Sequence, residues 1–115
     1  MSIVSRTDAM VECALELLLH DAGPKMDVVK ILVNRWPEAT GLQLMVALIG
    51  AANAIEQVYA VGSPARLDAD RAIRRAVLLS LDLYALESRG ISPARGRDLL
   101  AFWGEEASEA GSDSP

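Results

Sequence analysis

LMVALIGAA, residues 44–52, passes nine positions without a charge or a side-chain hydrogen-bonding group, in a 115-residue chain of net charge −5. What covers this stretch decides the architecture. Its helical start is well marked: Thr40-Gly41-Leu42-Gln43 fits a capping box, in which Thr40 accepts from an early amide and Gln43 reaches back. The helix is expected to continue to about Val61, where Gly62 stops it. Leu42 to Val61 has the length of a membrane span. Gln43, Asn53, Glu56 and Gln57 interrupt it, however, and flanking lysine or arginine is missing, so lipid is not the expected cover.

Side-chain size along this helix is patterned. Ala47, Gly50, Ala51 and Ala54 recur at i, i+3, i+4 and i+7 and make one smooth ridge, a place for another helix to approach closely. Leu42, Met45, Leu48, Ile49 and Ile55 supply bulk on the other side. A helix apolar nearly all round is covered nearly all round. It is therefore expected at the centre of the fold, with the helices before and after it packed around it.

Outward from that centre, punctuation marks four more helices. The first runs from Thr7 or Asp8 to His20 and ends at Asp21-Ala22-Gly23-Pro24. The second spans about Met26 to Trp36 and must stop at Pro37. A fourth opens on Ser63-Pro64, becomes regular by Asp68 and ends at Gly90. A short fifth opens on Ser92-Pro93 and carries Leu99, Leu100, Phe102 and Trp103. After Gly104, EEASEAGSDSP lacks the apolar content to fold alone. The expected fold is all-α: a compact bundle of four to five helices over residues 1–104, with a disordered acidic tail over 105–115.

Composition agrees with helices. Hydrophobic residues are 51% of the chain and aromatics only 4%, so the apolar content is Ala, Leu, Val and Ile. One cysteine, Cys13, excludes an internal disulfide framework. The opening MSIVSRTDAMVE has no apolar run before its acids, so no signal peptide is expected and cytoplasm is the default. Charge is uneven: residues 62–98 carry seven arginines against five acids, while the flanking segments are acidic. Overall acidity speaks against a chain held to nucleic acid by phosphate contacts.

The fourth helix shapes the functional expectation. Over Ala76–Leu86, AVLLSLDLYAL, only Ser80 and Asp82 are polar. Two adjacent helices that are each apolar on most faces exceed what a chain this short can hide. A homodimer is the expected state, with Ala47, Gly50, Ala51, Ala54, Leu81 and Tyr84 at the self-association surface. Arg71, Arg74, Arg75, Arg95 and Arg97 form a candidate docking face for an acidic partner. The alternative is internal pairing, Arg66 with Asp70 and Asp70 with Arg74, the others meeting the acidic face of the first helix.

Chemistry finds little purchase. Asp8, Glu12, Glu16 and His20 share one helical face, but His20 is the single histidine and no matching Glu-x-x-His occurs elsewhere, so no metal site is expected. Cys13 has acidic neighbours and reads as a small buried hydrophobe. No catalytic constellation or phosphate loop is present, so no enzyme and no cofactor are expected. NRWPEATGLQLMVALIGAANA, residues 34–54, has a helix-turn-helix outline, but its turn contains Pro37 and only Gln43 could read a base edge early in the second helix. The expected function is a small non-catalytic interaction or regulatory module, self-associating through helices 42–61 and 68–89. A dimeric helix-turn-helix regulator is the alternative.

Overall fold

Each helix boundary in this chain has a local cause. A computed structural model describes residues 5–20 and 27–112. Helix α1, Arg6–Leu19, starts where the Ser5 side chain accepts from the Asp8 amide. Helix α2, Val28–Arg35, is capped by Asp27, which accepts from the Lys30 amide, and ends at Trp36 before Pro37. Helix α3, Gly41–Val58, opens on the expected capping box, with both halves formed by Thr40 and Gln43. Helix α4 runs from Pro64 to Ser88, and Gly90 follows it with φ +90. Helix α5 covers Gly96–Ser112. The fold is all-α, with no strand among the described residues.

Three boundaries differ from the sequence expectation. Helix α3 stops at Val58, short of Val61, because Arg66 of α4 donates to the carbonyls of Glu56 and Tyr59 and closes its last turn. Helix α5 does not open on Ser92-Pro93, whose peptide bond is cis. It opens on Arg95, where the Asp98 carboxylate reaches back to accept from the Arg95 amide. Helix α5 also continues past Gly104 to Ser112, while residues 113–115 of the expected tail lie outside the described residues. So does Asp21–Pro24, the expected end of the first helix.

The core is built on α3. Leu44, Ala47, Leu48 and Ala51 are fully buried and join Met10 and Ala14 of α1, Leu32 and Val33 of α2, Leu79 of α4 and Leu99 of α5 in one cluster. A second cluster, Ala52 and Ile55 with Ala69 and Ala72, closes the other end of the α3–α4 pair. Helices α3 and α4 form an antiparallel hairpin. Its near end is so close that a Cβ on Gly41 would overlap the Leu83 side chain. Main-chain bonds then tie the two remaining turns together: Gly41 N–H donates to Ala94 O at 2.9 Å and Gly96 N–H to Ala39 O at 2.9 Å. The Trp36–Thr40 turn and the start of α5 are thereby one unit, which leaves the outer sides of α3 and α4 uncovered.

Candidate functional site

The ridge of small residues is filled from within the chain. Ala47 and Ala51 are fully buried, and a Cβ on Gly50 would stand 3.2 Å from Val11 of α1. Gly50 and Ala54 are half-buried. Ala47 and Ala51 are thus closed off by their own chain and are not open to a second copy, while Gly50 lies against Val11 of α1. The physical reason is that a small-residue ridge marks a close approach without saying which helix makes it.

Leu81 and Tyr84 are placed differently. They are 62% and 73% exposed, and they belong to a broader apolar face. On α3, Leu42, Val46 and Ile49 (71%, 43% and 46% exposed) recur at i, i+4 and i+7. On α4, Ile73, Val77, Leu81 and Tyr84 do the same along an adjacent line, with Leu78 beside them. One end of each line, Leu42 and Tyr84, borders a groove of about 560 Å³ that Met45, Ser80 and Leu83 also line. Arg74 stands on the same side of α4 between Ile73 and Val77; from Val77 to Tyr84 that side carries no charge. Together these side chains expose on the order of 800 Å² of mostly apolar surface, more than an ordinary monomer surface patch and the size one partner contributes to a stable complex.

The arginines divide into structural and solvent-facing groups. One Arg75 nitrogen donates to both Asp27 oxygens, at 3.0 and 2.8 Å, and so ties α4 to the N-cap of α2. Arg95 donates to the Glu38 carbonyl at 2.7 Å and fastens the turn ahead of α3. Arg71 and Arg97 form exposed pairs with Asp68 and Glu38. Arg66 pairs with Glu56, and Arg89 with Glu105 while lying over the Phe102 ring. Thus the partners are neither Asp70 nor the acidic face of α1, and Arg75 and Arg95 are committed to holding the chain together. Arg74 is exposed and has no ion pair among the described residues.

Other candidate groups sit in ordinary surroundings. His20 is exposed and its Nδ1 lies 2.9 Å from the Glu16 carbonyl. Among the described residues no three metal-ligating side chains converge. Cys13 is buried, yet Arg35 of α2 donates to its sulfur at 3.2 Å. That contact joins residues 22 positions apart, so no local sequence signal could announce it. A second cleft, about 450 Å³ between α2, α4 and α5, is lined by Asp27, Arg75, Asp82 and Trp103. Two pairs of its polar groups serve one another: Asp27 holds Arg75, and Asp82 accepts from the Trp103 indole at 2.9 Å.

The helix-turn-helix outline places α3 where a recognition helix would lie. Its first turns show Leu42 and Val46 to solvent, while the Gln43 carbonyl oxygen accepts from the Thr40 amide inside the cap. The remaining outward groups there are hydrocarbon, which contacts a thymine methyl but cannot fix a base pair. Comparison with family models, with curated proteins and with solved structures finds no match to this chain.

Proposed function

We propose that this chain is a non-catalytic helical interaction module that works as a homodimer through the outer faces of α3 and α4. One observation carries the reading: α4 is buried on one side by its own chain and carries Val77, Leu81 and Tyr84 in solvent on another. Leaving such a face wet forgoes about 25 cal/mol for each Å² that a partner would cover. From Val77 to Tyr84 this face carries no charge, so a twofold through that stretch brings no like charges together. On this reading the module serves a regulatory or adaptor role, with the solvent-facing Arg71 and Arg97 left to meet acidic groups on a further partner.

Light scattering after size exclusion tests this from micromolar to millimolar concentration. The mass is expected to approach twice 12.3 kDa. Leu81→Glu is expected to hold the protein at the single-chain mass with helical circular dichroism unchanged, because the side chain it replaces touches water in the isolated chain. Wild type that stays at the single-chain mass throughout rejects the proposal.

A further inference from the structure

We infer that the second copy docks with its α4 antiparallel to this α4, on a twofold axis passing beside Leu81; this rests on the self-association reading above. Around α4 the buried residues Ala72, Ala76, Leu79 and Leu83 define one side. At 100° per residue, the opposite side is centred on Leu81 and comprises Val77, Leu78, Leu81, Tyr84 and Ala85. The first four of these are 51–73% exposed. Spaced at i, i+1, i+4, i+7 and i+8, they form the ridge that a packed helix presents to a neighbour. On the α3 stripe Leu42 is 71% exposed but Val46 and Ile49 only 43% and 46%, so the continuous strongly exposed ridge is the one on α4.

An antiparallel pair centred on Leu81 matches size and charge. Leu81 meets its own copy, Val77 lies opposite the small Ala85, and Leu78 lies opposite Tyr84. The same register sets Arg74 opposite Ser88, in the last turn of the second copy's α4. In that turn the exposed Glu87 lies next to Ser88. Arg74, without an ion pair among the described residues, there meets the Glu87 carboxylate of the second copy. An α3–α3 pairing centred on Val46 instead sets Leu42 against Gly50 and leaves the more exposed α4 ridge wet.

Disulfide trapping in a Cys13→Ala background tests the register. Leu81→Cys and Val46→Cys are oxidised separately, and the rate of covalent dimer formation is followed on non-reducing gels alongside light scattering. The Leu81→Cys chain is expected to cross-link at least about tenfold faster. Arg74→Glu is expected to weaken dimerisation about fivefold, and adding Ser88→Arg to restore it. A dimer that cross-links equally or faster through Val46→Cys overturns the α4 pairing and leaves self-association standing. A single-chain mass at every concentration overturns both.

Discussion

At the residue scale, space around three positions sets the sign of a substitution. A Cβ on Gly41 meets the buried Leu83 side chain, so Gly41→Ala forces Leu83 aside and is expected to cost about 1–3 kcal/mol. Thermal unfolding followed by circular dichroism measures this as a lower Tm. Gly96 is tighter in kind, because the neighbours 3.0–3.1 Å from its Cβ position are the main chain of Trp36 and Pro37, which cannot rotate away. Gly50 is the contrast. Its neighbour is the Val11 side chain at 3.2 Å, and alanine there gains helix propensity worth up to about 1 kcal/mol. Gly50→Ala is accordingly expected to unfold within a few degrees of wild type. None of these environments is written in the neighbouring sequence, since each facing group comes from another element.

Among the elements, two helix starts that look alike as sequence behave differently. Thr40 and Ser63 are both hydroxyl residues ahead of a helix. Thr40 accepts from the Gln43 amide and forms a full capping box, whereas Ser63 makes no side-chain cap bond and its buried oxygen finds no partner. Thr40→Ala is expected to cost about 1 kcal/mol, seen as a Tm lower by roughly 3–6 °C. Ser63→Ala is expected to be neutral or slightly stabilising, because it removes an unsatisfied buried oxygen. Equal losses in the two variants would show that the caps are equivalent after all. The capping box was legible because its two partners are three residues apart. The end of α3 was not, because Arg66 reaches back from the next helix to close it.

For the whole molecule, the balance between core and surface sets the behaviour in solution. A 115-residue chain covers α3 with α1 and α4 and has too few helices left to cover the outside of α4. Under the proposed dimer, Tm rises with protein concentration, since dimerisation stabilises the folded chain by mass action. Scanning calorimetry over a hundredfold range is expected to show this for wild type, and no such dependence for Leu81→Glu. The arginine face tells a similar story about scale. Arg71, Arg74 and Arg75 are close in sequence and look like one surface, yet only folding decides that Arg75 belongs to Asp27 of α2 while Arg74 points to solvent.

The sequence by itself determined the class of fold and most helix positions, because periodicity, prolines and caps act over a single turn or two. It also marked α3 as the helix on which the core is built, but the all-round cover expected for it is not found: Leu42, Val46 and Ile49 stay exposed. Only the tertiary structure decided which apolar residues stay outside. Ala47 and Ala51 are as apolar in sequence as Leu81 and Tyr84, but the first pair receives α1 and the second pair faces water. Burial is a relation between elements, and residues that share a helical face in sequence acquire their partners only when the other helices arrive.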